Sequence, residues 1–251
     1  MAEVAEVAVV TGASRGIGAA AAVELGRRGY RVVVNYRSRA DAAQEVVAAV
    51  RQAGGDGIAV PGDVCDPDQA RRVVAAAVDT YGGLDALVCN ASAPVRPTPF
   101  ADLEFADLAG VVTGELAATF HPVRAAEPHL AARGGGRIVV VSSAMAARYA
   151  FGAGLAHGVA KAALNAFASY LAVRYGPAGI TVNVVAPSYV RTEGSSVNIP
   201  AGFEQARAGE TPLRRICLPV DVGRVIAQLA ANRDGYVTGV CVPVTGGRHL
   251  V

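Results

Sequence analysis

Lysine is nearly absent from this 251-residue chain. Of its 23 basic residues, Lys161 alone is a lysine and all the others are arginines. A compact ammonium and a planar guanidinium are not interchangeable, so this single amine is a candidate for a specific role. The 23 basic and 21 acidic residues are scattered along the chain rather than clustered, which argues against a nucleic-acid partner.

Long apolar runs and a targeting segment are also missing. No run approaches about 18 apolar residues, and residues 1–10 carry Glu3 and Glu6 without a basic flank. We therefore expect a soluble, cytoplasmic protein without a membrane contact. The four cysteines show neither C-x-x-C nor His-paired spacing, so we expect reduced thiols and no metal site.

The distribution of apolar residues predicts one domain spanning residues 1–251. Short runs of Val, Ile and Ala alternate with segments of helical period, as in an α/β doubly wound Rossmann-type fold with helices on both faces. Seven parallel strands are predicted, at residues 7–10, 31–36, 57–60, 86–89, 137–142, 181–185 and 240–244. Helices are predicted at residues 17–28, 40–53, 67–81, 107–132, 155–175 and 220–231. Residues 192–212 lack clear periodicity and are predicted to form a substrate lid.

A glycine-rich turn follows the first predicted strand and opens the first predicted helix. Glycines at this place let the backbone approach a pyrophosphate, while the helix N-terminal amides face its negative charge. This context predicts a dinucleotide site, for which a plain turn is the weaker alternative. The candidate cofactor-binding residues of the turn are Gly12, Ser14, Arg15, Gly16, Ile17 and Gly18.

The second predicted strand ends without the acidic residue that would select NAD. Arg37 stands there instead, and together with Arg15 it offers two guanidinium groups suited to a 2'-phosphate. The sequence therefore favours NADP(H). The alternative is that both arginines are solvated surface residues.

On these residues the chain resembles the short-chain dehydrogenases/reductases, particularly the bacterial 3-oxoacyl carrier-protein reductases. The resemblance runs from Val7 almost to the C-terminus and implies that Asp63 binds adenine, Asn90 lines the cofactor pocket and Thr192 meets the nicotinamide amide. Serine replaces the usual glycine at Ser92 and Ser188. The same motifs add Val64, Pro187, Val190 and Lys161 to the candidate cofactor-binding residues.

The resemblance also locates the reaction centre, where two of the four expected residues differ. The family uses Asn, Ser, Tyr and Lys, with the tyrosine four residues before the lysine on one helix face. Here His157 stands four residues before Lys161, and Ser143 matches the family serine. Counting back five residues from Phe120 places Glu115 at the asparagine position. The candidate catalytic residues are therefore Ser143, His157, Lys161 and Glu115.

Histidine can supply the proton that the family tyrosine gives, because its reference pKa is about 6.5. Lys161 should lower the pKa of His157 and an ionised Glu115 should raise it. Tyr149 is a weaker stand-in acid. For His121, His129 and His249 structural roles are expected.

Three functions remain open from the sequence. The leading one is an NADPH-dependent carbonyl or ketoreductase acting on a small or polyketide-like substrate. The second is a redox-neutral cyclase, dehydratase or isomerase that uses Glu115 and His157 as an acid/base pair. The third is a non-catalytic cofactor-binding subunit. A homotetramer or homodimer is expected through the helices at residues 107–132 and 155–175, with an alanine-rich surface at Ala162, Ala166 and Ala168.

Overall fold

A computed structural model describes residues 5–147, 154–193, 195, 200–232 and 235–248 of the chain. Within them seven parallel strands form one sheet in the order β3-β2-β1-β4-β5-β6-β7. The strands are β1 (Val7–Val10), β2 (Arg31–Tyr36), β3 (Asp56–Pro61), β4 (Ala86–Cys89), β5 (Gly136–Val141), β6 (Ile180–Pro187) and β7 (Cys241–Val244). The helices are α1 (Gly16–Gly26), α2 (Ala40–Gln52), α3 (Pro67–Tyr81), α4 (Phe105–Ala132), α5 (Leu155–Tyr175), α6 (Phe203–Glu210) and α7 (Pro219–Ala230).

The predicted doubly wound fold is confirmed, because the helices cover both faces of the sheet. One face packs on α3, α4 and α5, and the other packs on α1, α2 and α7. Most positions of the central strands are apolar because both faces of the sheet are covered, and all four side chains of β1 are buried. All the predicted strands and helices are present with ends within two residues of those predicted.

Strand order reverses on either side of β1, which pairs with β2 on one edge and with β4 on the other. The loops that leave the carboxyl ends of β1 and β4 therefore run in opposite directions and leave a crevice between them. Ligands of doubly wound sheets bind at such a switch point. The glycine turn lies at this crevice.

The region predicted as a lid contains a helix that the sequence did not reveal, α6. Its eight residues span about two turns and none is buried, so it shows no marked apolar period. Residue 194 and residues 196–199 lie outside the described residues, and the lid stays a prediction.

The outer faces of α4 and α5 carry large apolar side chains. Phe105 on α4 is 80% exposed, and Tyr170 and Val173 on α5 are 79% and 80% exposed. The predicted alanine surface is wrong at Ala168, which is buried in the core because two residues turn a helix by about 200° from Ala166. No helix in the described part of the chain is long and apolar enough to cross a membrane.

Candidate active site

The glycine turn after β1 has a backbone shape that only glycine adopts without strain. Gly12 and Gly16 have φ angles of 61° and 59°, in the left-handed region. A Cβ atom at Gly12 would lie 3.0 Å from Cα of Ala91. At Gly18 it would lie 2.5 Å from Nδ2 of Asn90, so this helix start packs directly against the residues after β4.

Two buried or partly buried asparagines hold this turn in place. Nδ2 of Asn90 donates to the carbonyl oxygens of Thr11 and Gly12 at 2.9 and 3.1 Å. Oδ1 of Asn35 accepts the Gly12 amide at 3.1 Å, while its Nδ2 donates to the Gly62 carbonyl at 3.0 Å. The ends of β1, β2, β3 and β4 are thereby linked around the turn. The role of Asn35 was not recognised in the sequence, where it appears only as a polar residue inside an apolar strand.

A cavity of about 840 Å³ opens above this turn. Its lining includes most of the predicted cofactor-binding residues and one reaction-centre residue: Gly12, Ser14, Arg15, Gly16, Ile17, Arg37, Asp63, Val64, Asn90, Thr192 and His157. Six predicted site residues do not line it: Gly18, Glu115, Ser143, Lys161, Pro187 and Val190. Several residues not assigned from the sequence do, namely Asn35, Ser38, Arg39, Gly62, Cys65, residues 91–95, Gly110, Gly114, Ala118 and Ser195.

Arginines surround one end of the cavity. Nη1 of Arg37 lies 3.6 Å from Oδ2 of Asp63, and the Arg37 side chain is 65% exposed. Arg39, which the sequence analysis did not single out, lies 3.2 Å from Oε2 of Glu193. Exposed ion pairs of this kind contribute little, so both guanidinium groups can exchange a carboxylate for a phosphate at small cost.

Two of the predicted catalytic residues, Glu115 and Lys161, form a buried ion pair between α4 and α5. Nζ of Lys161 lies 2.9 Å from Oε2 of Glu115, and the two side chains are 4% and 0% exposed. Glu115 occupies the face of α4 that otherwise presents core residues such as Ala118 and Val123. Its burial therefore follows from the helical period, and a carboxylate at this position requires a nearby cation.

Further hydrogen bonds satisfy both members of the pair. Lys161 Nζ donates to the Val141 carbonyl, at the end of β5, at 3.1 Å. The Ser92 hydroxyl, just after β4, donates to Oε1 of Glu115. The carboxylate is thus held by one partner on each oxygen, between two neighbouring strand ends.

His157 lies one helical turn before Lys161 on α5 and is half-buried. Burial lowers the pKa of His157, and the charge of Lys161 lowers it further, while the Glu115 carboxylate raises it. The net direction is downward, so most of the imidazole is neutral at pH 7. The sequence left open whether Lys161 or Glu115 has the larger effect on the pKa of His157, and in the structure the lowering effects are larger.

Ser143 begins a short 3-10 turn after β5. Its Oγ accepts the Met145 amide at 3.2 Å, which leaves the hydroxyl proton available to another acceptor. Tyr149 and His249 lie outside the described residues. His121 stacks edge-to-face on Phe120, and no group of three or more metal-binding side chains occurs in the described part of the chain.

Comparison with known proteins identifies the family. A sequence profile described as Enoyl-(Acyl carrier protein) reductase matches residues 12–249. Versicolorin reductase of Emericella nidulans is 37% identical, over 96% of this chain and 95% of its own length. The chain belongs to the short-chain dehydrogenase/reductase superfamily. It is thus an oxidoreductase of a superfamily that uses nicotinamide cofactors.

Further relatives agree with this membership. Tetrahydroxynaphthalene reductase of Pyricularia oryzae is 35% identical, over 96% of this chain and 89% of its own length. A dehydrogenase/reductase from Sinorhizobium meliloti has a similar structure, with a TM-score of 0.89, 32% identity and coverage of 98% and 95% of the two chains. A short-chain dehydrogenase/reductase mutant from Serratia marcescens gives a TM-score of 0.87 at 31% identity, covering 97% of both chains.

The crevice fits the dinucleotide that this superfamily uses. A Cβ atom at Gly12, which lines the cavity, would crowd Ala91, so only backbone atoms contribute to the lining at this position. No side chain caps the N-terminus of α1, which leaves its first amides to an anionic ligand. Polar and cationic side chains at the same edge match a phosphate-bearing group.

Proposed function

We propose that this protein is an NADPH-dependent carbonyl reductase in which His157 exchanges the proton with the substrate oxygen. One observation carries the proposal: of the four reaction-centre residues, His157 alone lines the cavity. Glu115 and Lys161 are buried behind it. A group that transfers a proton must reach the reacting oxygen, and His157 is the member of the set placed to do so.

The cofactor and the residues of the chain have separate roles in the proposed carbonyl reduction. When bound, the reduced dinucleotide supplies a hydride to the carbonyl carbon. Protonated His157 gives the carbonyl oxygen its proton, whereas Ser143 lies outside the cavity lining and is assigned no contact with that oxygen. Lys161 is 4% exposed, does not line the cavity and donates to Glu115 and Val141, so its proposed role is to hold the Glu115 carboxylate in place.

NADP(H) is the proposed cofactor because Arg15, Arg37 and Arg39 line the same part of the cavity and no acidic residue follows β2. A 2'-phosphate there would meet guanidinium groups, whereas NADH offers them only hydroxyls. Asp63 offsets part of this positive charge through its contact with Arg37.

The proposed substrate is a hydroxylated aromatic carbonyl compound. Tetrahydroxynaphthalene reductase, to which this chain is 35% identical, is named after a polyhydroxylated aromatic compound, whose keto tautomer would offer the carbonyl group. The cavity supports the same class, because its lining includes the apolar residues Ala93, Pro94, Val95 and Ala118 as well as His157. A flat ring gains from such a lining, while its carbonyl oxygen is met by polar groups.

A redox-neutral reaction with Glu115 as an acid or base is less well supported. The Glu115 side chain is 0% exposed, and its oxygens are engaged by Ser92 and Lys161. The carboxylate would have to leave both partners to reach a substrate. A purely structural subunit is also disfavoured, since a buried ion pair is a weak source of stability.

The test is NADPH oxidation by the purified protein with a panel of hydroxylated aromatic ketones and small aliphatic ketones. His157→Ala should lower kcat by about two to four orders of magnitude, the usual contribution of a positioned general acid. His157→Tyr should retain reduction, because tyrosine beside lysine is the arrangement of the family. His129→Ala, on α4 outside the cavity lining, is the matched control and should leave kcat unchanged.

Two results would contradict the proposal. Full activity of His157→Ala would transfer the acid role to a water molecule, the substrate or Tyr149. A redox-neutral conversion that depends on both Glu115 and His157, without NADPH oxidation by any carbonyl, would establish the alternative function instead.

A further inference from the structure

Ser92 occupies a special place between the open crevice and the buried ion pair. It follows β4 directly and is exposed on the crevice side, where it lines the cavity. Its hydroxyl nevertheless reaches inward to Oε1 of Glu115, whose side chain is 0% exposed. The other acceptor near this hydroxyl, the Ala93 carbonyl, lies at 3.5 Å and is the weaker partner. Ser92 thus contacts the carboxylate from the side on which water and ligands enter.

We propose that Ser92 is a positioning residue that holds the Glu115 carboxylate against Lys161, and that this arrangement controls proton exchange by His157. The proposal rests on the proposed function, in which His157 exchanges a proton with the substrate. It assigns Ser92 no contact with the reacting atoms. Its effect passes through Glu115 and Lys161 to the imidazole.

Two hydrogen bonds link Ser92 to Lys161 through Glu115, and helical spacing relates Lys161 to His157. Ser92 donates to one carboxylate oxygen, Lys161 donates to the other at 2.9 Å, and Lys161 stands one helical turn after His157. A hydrogen bond donated to a carboxylate favours its charged form. Without the Ser92 donor, Oε1 of Glu115 loses this hydrogen bond, and the carboxylate is held against Lys161 from one side only.

His157 is sensitive to this balance because two opposite charges act on it. Lys161, on the same helix, lowers the pKa of His157, and Glu115, on α4, raises it. These are the ionisable groups of the described part of the chain that act on this imidazole, beside the effect of burial. A Glu115 carboxylate that is no longer held in place offsets burial and the ammonium less, so protonated His157 is disfavoured.

The experiment measures the titration of His157 directly. The full chain is labelled with ¹³C at histidine Cε1, and the His157 signal is assigned by its loss in His157→Gln. The midpoint of the His157 pH titration is then measured by NMR in Ser92→Ala, Ser92→Gly and Ser92→Thr. We expect a lower midpoint in the alanine and glycine variants and a midpoint near that of the wild type with threonine, which keeps the hydroxyl. Thr113→Ala is the control, since it removes an exposed hydroxyl that bonds its own helix at Ala109.

Reductase kinetics give a second readout. For Ser92→Ala, kcat of carbonyl reduction at pH 7 should fall roughly tenfold, as expected for loss of one hydrogen bond to a charged group. KM for the carbonyl should stay within about twofold, because the Ser92 hydroxyl is donated to Glu115 and not to the ground-state substrate. Ser92→Thr should restore kcat.

An unchanged His157 midpoint in both folded variants that lack the hydroxyl would overturn the proposal, and so would a raised midpoint or an equal shift in Thr113→Ala. Failure of the proposed function is distinguishable from this result. If the wild-type protein reduces no carbonyl, the proposed function fails, while the NMR titration still decides whether Ser92 controls His157.

Discussion

Replacing Glu115 with glutamine would remove a buried charge while leaving its partner in place. The Glu115 and Lys161 side chains are 0% and 4% exposed, with Oε2 and Nζ 2.9 Å apart. Glutamine has nearly the same shape and can still accept a hydrogen bond, so packing around the site should persist. The Lys161 ammonium, however, would lose its counter-ion. Removing one member of a buried pair typically destabilises a protein by about 3–5 kcal/mol.

The protonation chemistry of lysine sets an upper bound on this loss. A buried ammonium without a counter-ion avoids the free-energy cost of burial by losing a proton. For an ordinary lysine side chain this deprotonation costs roughly 5 kcal/mol at pH 7 and roughly 2 kcal/mol at pH 9. The destabilisation is therefore largest at low pH and shrinks as pH rises. We expect Glu115→Gln to lower the free energy of unfolding by about 3–5 kcal/mol at pH 7 and by at most about 2 kcal/mol at pH 9.

Urea denaturation at both pH values, at one fixed protein concentration, measures this difference. Glu127→Gln is the matched control on the same helix, because its side chain is 37% exposed and its carboxylate lies 3.7 Å from Arg174. An exposed pair of this kind contributes less than about 1 kcal/mol, so the control should be nearly neutral at both pH values. A loss below about 1 kcal/mol in Glu115→Gln at pH 7, or a loss that does not shrink at pH 9, would refute the reasoning.

Three further predictions concern cofactor, pH and assembly. Arg37→Asp should weaken NADPH binding at least tenfold, because a carboxylate would repel the 2'-phosphate, and should leave NADH binding unchanged or improved. Fluorescence titration with both cofactors measures these affinities. Equal affinities of the wild-type protein for NADPH and NADH would contradict the prediction. Burial and the charge of Lys161 lower the pKa of His157, so kcat/KM for carbonyl reduction should rise as the pH falls through this pKa. Alcohol oxidation should show the opposite trend. A flat pH profile would exclude His157 as the acid. The apolar outer faces of α4 and α5 should pair in a dimer or tetramer, whereas sedimentation of a 25.5 kDa species alone would contradict this.

The strands and most helices could be predicted from the sequence because their signals are local. A strand buried on both faces is apolar at successive positions, as β1 and β4 are, and this pattern needs no knowledge of the neighbours. The glycine turn is local in the same way, since its left-handed backbone at Gly12 and Gly16 restricts the residue type at those positions. Only α6 escaped, because a two-turn helix without buried residues has little apolar period.

The candidate site was predictable only in part. The spacing of His157 and Lys161 places both on neighbouring turns of one helix, and this follows from helical geometry alone. The sequence also singled out Glu115, but only by its resemblance to a family position. Whether its carboxylate faces a substrate or the interior depends on how α4 packs against α5.

Tertiary structure decided these relations because the interacting groups are remote in the chain. Glu115 and Lys161 are 46 residues apart, and Ser92 reaches Glu115 across 23 residues. Arg39 and Glu193 are separated by 154 residues. The sequence by itself determined which residue types are present and which elements carry them. The packing of those elements determined which charges are buried together, and hence in which direction the pKa of His157 is shifted.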